Sequence, residues 1–146
     1  MKKLILAFTI LIAFGLSAAA QAAMTPWIVP KDRARFDELR RSGLEALYNL
    51  DYDKAQKDFK EITQLYPTHA AGPQLLAARV WIKTLYESRR LQSSLYNSES
   101  FYSSGDDKVD PKVITEFRSL TREAKRLSEV RLKQNPKEVE ALFVAQ

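Results

Sequence analysis

The sequence lacks cysteine altogether, contains a single histidine among its 146 residues, and has only four glycines, which stand far apart. Without cysteine the chain has no disulfide, no thiolate metal site and no cysteine to carry a lipid. One histidine cannot form a zinc ligand set, and scattered glycines do not form a phosphate-binding loop. We therefore expect no catalytic constellation, no metal site and no cofactor, so the chain is not predicted to be an enzyme.

Long apolar runs are confined to the amino terminus. A basic start precedes an apolar run over residues 4–16, and the residues at 17–23 are small, as in a secretory signal peptide. The triplet Ala20-Gln21-Ala22 has the small-x-small pattern of a cleavage site, which predicts cleavage after Ala22. We therefore expect export, and a periplasmic or secreted mature protein.

A membrane anchor is the alternative interpretation of this segment, because residues 4–23 reach the roughly 20 that cross a bilayer. The second half is mostly alanine and serine with Gln21 inside it, which favours a cleaved leader over an anchor. No other segment is comparably apolar. No stable membrane insertion is therefore expected after cleavage.

Charges of both signs are interspersed along the rest of the chain. The whole sequence carries a net charge of +5, which becomes +3 once Lys2 and Lys3 of the leader are left out. Mixed signs within a short stretch, as at residues 54–61, are typical of solvated helix faces. We therefore expect no nucleic-acid partner.

Apolar residues recur at steps of three and four along most of the remaining chain, which predicts amphipathic helices. The stripes run over residues 36–50, 55–66, 73–90 and 111–134. The third stretch is apolar on nearly all sides and needs cover from two directions. A serine-rich stretch at 91–111 predicts a loop. The predicted fold is therefore all-α, built of antiparallel helix pairs, with a long loop between the helices of the second pair.

Prolines and aspartates mark where these helices begin and end. Pro30 suits the first turn of a helix, and Asp51 or Asp53 is available as the N-cap of the second. Pro67 stops the second helix, and Asp110 before a proline makes a start for the fourth. The first two helices are therefore expected to be short and antiparallel.

Residues 36–69 fit the spacing of a helix-pair repeat with a period of roughly 34 residues. Counted from Phe36, a glycine stands at position 8, a tyrosine at 17, an alanine at 20, a phenylalanine at 24 and a proline at 32. These residues are Gly43, Tyr52, Ala55, Phe59 and Pro67. The stretch resembles the tetratricopeptide repeat, although Leu39 stands where tryptophan is typical and Ala46 where tyrosine is. Small residues are expected where the paired helices cross closely, and Phe59 is expected to fill the space against the next pair.

A second, partial match lies further along. Ala124 and Pro136 are separated by 12 positions, as are the alanine and proline of the first repeat, and residues 139–143 resemble the first positions of a new one. A four-helix bundle would share the apolar periodicity but would not require these spacings. An unpartnered apolar helix after Pro136 leads us to expect a truncated chain. The predicted organisation is a leader at 1–22, a tether and helix start at 23–35, a repeat at 36–69, a second pair at 70–138 and a truncated repeat at 139–146.

The resemblance implies protein or peptide recognition, because stacked helix pairs expose a concave surface lined mainly by the first helix of each repeat. The predicted partner-binding residues are Arg40, Leu44, Leu47, Gln74, Ala78 and Trp81. Family members that bind chaperones hold a terminal carboxylate with an asparagine where this chain has Leu44, so that clamp is not expected. Trp81 could anchor a ligand, although a tryptophan in so apolar a helix is more often a core residue, so both roles stay open for it.

Two other functions stay open at this stage. The chain is alternatively the amino-terminal repeat region of a larger exported enzyme, with the catalytic domain beyond its end, or a self-assembling structural array. His69, just after Pro67, is expected to be an ordinary turn residue. Asp106, Asp107 and Asp110 have part of the spacing of a calcium loop but lack its remaining ligands.

Overall fold

The computed structural model describes Trp27, residues 30–88, Arg90 and residues 109–145. Over these ranges the chain is helical and contains no strand, which confirms the all-α class. The predicted leader at 1–22 and nearly all of the predicted loop at 91–111 lie outside the described residues. The helices are α1 (Pro30–Tyr48), α2 (Tyr52–Leu65), α3 (Ala71–Glu87), α4 (Pro111–Gln134) and α5 (Val139–Ala145).

Two aspartates and two prolines fix the helix starts, as the sequence predicts. The Asp51 carboxylate accepts a hydrogen bond from the Lys54 backbone N–H at 3.1 Å, so Asp51 is the N-cap of α2. Asp110 caps α4 in the same way, accepting from the Lys112 N–H at 2.8 Å. Asp110, one of the three aspartates with part of the spacing of a calcium loop, therefore has a structural role as a helix cap. The other two aspartates of that loop lie outside the described residues.

The third helix differs from its predicted range of 73–90. It begins at Ala71, and its N-cap, Ala70, makes no side-chain cap bond. It ends at Glu87, and the hydroxyl of the next residue, Ser88, donates to the Thr84 carbonyl at 2.8 Å. The helix therefore begins two residues before and ends three residues before its predicted limits.

The turn between α1 and α2 places a leucine where glycine is usual. Leu50 has a φ of 62°, in the left-handed region. The Asp51 N–H donates to the Ala46 carbonyl at 2.8 Å and the Leu50 N–H to the Leu47 carbonyl at 3.1 Å. This pair of bonds is the Schellman ending of a helix, which glycine fits without a Cβ penalty. Leu50 therefore carries backbone strain.

Replacing Leu50 by glycine should stabilise the protein by about 0.5–1 kcal/mol, because the left-handed conformation then costs no steric penalty. The control is Leu50→Ala, which removes the same partly exposed side chain but keeps the strained Cβ. Urea unfolding followed by circular dichroism would compare the two variants. Equal stability of both would show that the left-handed turn carries no strain.

Consecutive helices pack on one another: α1 on α2, α2 on α3, α3 on α4, and α4 on α5. The main core lies within the first three helices, with Leu75, Leu76 and Ile82 of α3 against it. Its fully buried members from α1 and α2 are Phe36, Leu39, Ala46, Leu47, Ala55, Phe59 and Ile62. The second half of the molecule buries smaller residues, namely Ala77, Val80, Ala124, Leu127 and Ala141.

Two glycines allow the helices to approach closely. A Cβ on Gly43 of α1 would lie 2.3 Å from Cε1 of Phe59 on α2. A Cβ on Gly72 of α3 would lie 2.4 Å from Oγ1 and 3.0 Å from Cα of Thr63 on α2. Helix α2 is therefore held on both sides at distances that a larger residue would not permit. Among the described residues, no helix has the length and apolar character needed to cross a lipid bilayer.

Candidate functional site

A groove of about 440 Å³ lies between α1, α3 and α5. Its lining includes Arg40 and Leu44 from α1, Gln74 and Ala78 from α3, and Phe143 from α5. A second pocket of about 430 Å³ shares the last three of these residues and extends towards α4. Because the two pockets share walls, we treat them as one surface and call it the central groove.

The central groove has a floor of small residues and walls of large apolar ones. Ala71 and Ala78 of α3 lie along its floor. Leu44, Trp81 and Phe143 stand beside it with 43%, 53% and 75% of their surfaces exposed. Large apolar side chains left exposed around one concavity are typical of a binding surface.

The structure brings five of the six predicted partner-binding residues to the central groove. Four of them line its first pocket and Trp81 lines its second. The sixth, Leu47, is only 4% exposed and belongs to the core with α2. Leu47 stands three positions after Leu44 on α1, at a point of the helix where the core covers it. Leu47 is thus unavailable to a partner.

Of the two roles open to Trp81, the core role is wrong. More than half of its surface is exposed, and its ring lies 5.9 Å from that of Phe117 on α4, measured between centroids. Helix α3 is apolar on nearly all sides, and among the described helices it packs chiefly on α2 and α4, which leaves Trp81 beside the groove.

The residues predicted to define the repeat occupy different environments. Ala55, Phe59 and Ala124 are buried, and the Phe59 ring lies against Gly43 of its own helix pair. The ring therefore fills the crossing of α1 and α2 as well as supporting the core towards α3. The remaining three residues lie at helix ends, where Tyr52 is half-buried and Pro67 and Pro136 are exposed.

Charges are concentrated at one end of the central groove and are paired there. Nε of Arg33 lies 3.1 Å from Oδ2 of Asp37, and Nη2 of Arg33 lies 3.8 Å from Oε1 of Glu140. Nη2 of Arg40 lies 3.7 Å from Oδ1 of Asp37. The charges of these two arginines and two carboxylates therefore cancel. The side-chain amide of Gln74 lines both pockets and has no hydrogen-bond partner in the described part of the chain.

The same end of the groove holds a contact that sequence reasoning missed. His69 is 3% exposed, and its ring stacks on Trp27 with centroids 4.1 Å apart. The Trp27 indole N–H donates to the Thr68 carbonyl at 3.0 Å. Nε2 of His69 lies 3.4 Å from Oε2 of Glu140 on α5. The sequence correctly places His69 in a turn, but its burial depends on residues far away along the chain.

Burial lowers the pKa of His69 from 6.5 to about 4, against the opposing pull of the nearby Glu140 carboxylate. The imidazole is therefore neutral at pH 7. Within the described ranges, no three acidic or histidine side chains come close enough together to hold a metal ion. The groove thus offers apolar walls, one unpaired amide and a paired charge network.

No protein-family model, curated protein or solved structure matches this chain. The comparisons therefore assign no family. The function has to be argued from the residues of the central groove and from the arrangement of the helices around it.

Proposed function

We propose that this chain is an exported helix-repeat module of the tetratricopeptide type, which binds a segment of another protein in the central groove. The observation that carries the proposal is the concentration of exposed Leu44, Trp81 and Phe143 around one concave surface. Exposed apolar side chains gathered in this way are costly in water unless a partner covers them. Export rests on the leader-like residues 1–22.

The arrangement of the helices supports the repeat part of the proposal. Each helix packs on the next along the chain, as in a solenoid. The first pocket of the central groove is lined chiefly by the alternate helices α1, α3 and α5. In stacked helix pairs, the first helix of each pair lines the concave face, and this is the position that the proposal gives to α1, α3 and α5.

The chemistry of the groove favours an apolar ligand face. Away from the paired charges at one end, the described lining carries no charge. The alanine floor allows the backbone of a bound segment to approach closely, and Gln74 is available to bond that backbone. An amphipathic helix or extended segment with two or three large apolar side chains fits these features.

Binding can be tested with a displayed library of random peptides selected on the immobilised protein. The selected peptides should be rich in apolar residues, and their Kd should rise about tenfold in Trp81→Ala and in Leu44→Ala, because anchor side chains carry most of the binding energy. Ala78→Arg should abolish binding by filling the floor.

The matched control is Tyr48→Ala, which removes an aromatic side chain that is 88% exposed and lies outside the groove lining. Its Kd should equal that of the unchanged protein. Peptides that bind equally well to the groove variants, or that lose affinity in Tyr48→Ala, would refute the proposed site. Circular dichroism of each variant would separate a loss of binding from a loss of fold.

A further inference from the structure

His69, the single histidine of the chain, lies where four parts of the molecule meet. It belongs to the turn between α2 and α3, and its ring stacks on Trp27, which precedes α1. The Phe36 ring of α1 lies 4.9 Å away between centroids, and Glu140 of α5 lies on the Nε2 side. All four of these residues line the first pocket of the central groove.

The hydrogen bonds of the ring specify its protonation state. Nδ1 of His69 accepts a hydrogen bond from the backbone N–H of Ala71 at 3.1 Å. Nδ1 therefore carries no proton, and the neutral ring has its proton on Nε2. A second proton would go to Nδ1 and would face the Ala71 N–H, so two donors would point at each other. The imidazolium form is incompatible with this first turn of α3.

Charged groups on the surrounding elements act on His69 in opposite directions. Glu140 of α5 and Glu138 in the turn before it favour protonation, whereas Arg33 of α1 opposes it. Arg131 of α4 lies over the Trp27 ring, 5.9 Å from its centroid. Burial outweighs the two carboxylates and lowers the pKa of His69 to about 4.

We propose that His69 and Trp27 form an acid-sensitive latch, in which protonation of His69 releases Trp27 from the turn between α2 and α3 and opens this end of the central groove. A proton on Nδ1 would face the Ala71 N–H, so the charged ring has to leave its place in the turn. Trp27 is the part of its cover that does not belong to a helix. It is held by the ring stack and by its bond to the Thr68 carbonyl. The release itself is independent of any ligand. Its effect on binding rests on the function proposed above.

The direction of the pH dependence follows from linkage. The folded protein disfavours the proton, so an unfolded or released state binds it more readily. The closed latch is therefore fully favoured above pH 6.5, and that advantage is lost as the pH falls towards about 4.

Nuclear magnetic resonance can follow the latch directly, because the imidazole signals have one source. Because the chain has two tryptophans, the indole signal that remains in the Trp81→Phe variant belongs to Trp27. The imidazole should titrate well below pH 6.5, and the Trp27 indole N–H and the Ala71 amide should lose protection from hydrogen exchange over the same range. The amide of Phe59, deep in the core, should stay protected.

Three outcomes would overturn the latch. They are titration of the imidazole near pH 6.5, a Trp27 indole that stays protected after His69 is charged, and loss of protection at Phe59 together with Trp27. The second would show that the stacked pair tolerates the charge, and the third would show acid unfolding of the whole protein.

Neighbouring charges provide variants with opposite expected shifts. Glu140→Gln should move the release to lower pH, and Arg33→Gln should move it to higher pH, each by roughly half a unit or more. Lys83→Gln, which changes one charge elsewhere on α3, should leave it unchanged. In His69→Phe the Trp27 indole should show no pH dependence in this range. Equal shifts in all three charge variants would contradict the assignment to His69.

Discussion

Replacing Phe59 by alanine is expected to lower the free energy of unfolding by about 3–5 kcal/mol. The Phe59 side chain is fully buried and fills the crossing of α1 and α2 against Gly43. Its removal leaves a cavity that neighbouring helices, held by their own contacts, can close only in part. Since small domains are stable by about 5–15 kcal/mol in total, urea unfolding should show a large shift of the midpoint.

The effect of Gly43→Ala on stability should depend on which residue stands at position 59. In the unchanged protein, Gly43→Ala places a Cβ against the Phe59 ring and should cost about 1–3 kcal/mol despite the better helix propensity of alanine. In the Phe59→Ala background the obstacle is gone, so the same change should be neutral or stabilising. Strict additivity of the two changes would contradict the close contact of these two residues.

Replacing Gly72 by valine is expected to destabilise the protein by about 2–3 kcal/mol, because the new side chain would be forced into α2. The obstacle here includes backbone, since Cα of Thr63 would lie 3.0 Å from the added Cβ. Relief would require α2 and α3 to move apart along the side of the core. A thermal melt followed by circular dichroism would measure the loss.

A second substitution shows how the contact at Gly72 differs from the contact at Gly43. Thr63→Ala removes the hydroxyl that would lie 2.4 Å from the Cβ but leaves the Thr63 backbone in place. The double variant with Gly72→Val should therefore recover only part of the lost stability, in contrast to the pair formed by Gly43 and Phe59. Complete recovery would show that the helices are free to separate at this point.

The limits of α2 and α4 could be predicted because they depend on local chemistry. Asp51 and Asp110 cap their own helices with hydrogen bonds two or three residues away, and Pro111 stands at the start of α4. Such signals are complete within a few residues of sequence. The all-α class follows from the same local patterns, whereas the resemblance to the tetratricopeptide repeat stays a prediction.

The burial of Leu47 and of Trp81 could not be predicted from the apolar composition of their helices. An apolar side chain in a helix lies in the core or beside a groove according to which neighbouring helices cover it, and that depends on tertiary packing. Leu47 lies against α2, whereas the described helices leave more than half of Trp81 exposed.

The contact of Trp27, His69 and Glu140 was missed for a related reason. These residues come from the segment before α1, a turn in the middle of the chain, and α5, so no short window of sequence contains them. The one available signal was a tryptophan placed just before a predicted helix start. Its partner could be identified only from the tertiary structure.

The packing of each helix on its neighbour in sequence also bears on how the chain folds. Contacts between consecutive helices require only short segments of chain to close, which makes folding fast. The exception is the pairing of α3 with α4, which are separated by residues 88–110. The first three helices contain the main core, so we expect them to form the folding nucleus and the carboxy-terminal half to dock on it afterwards.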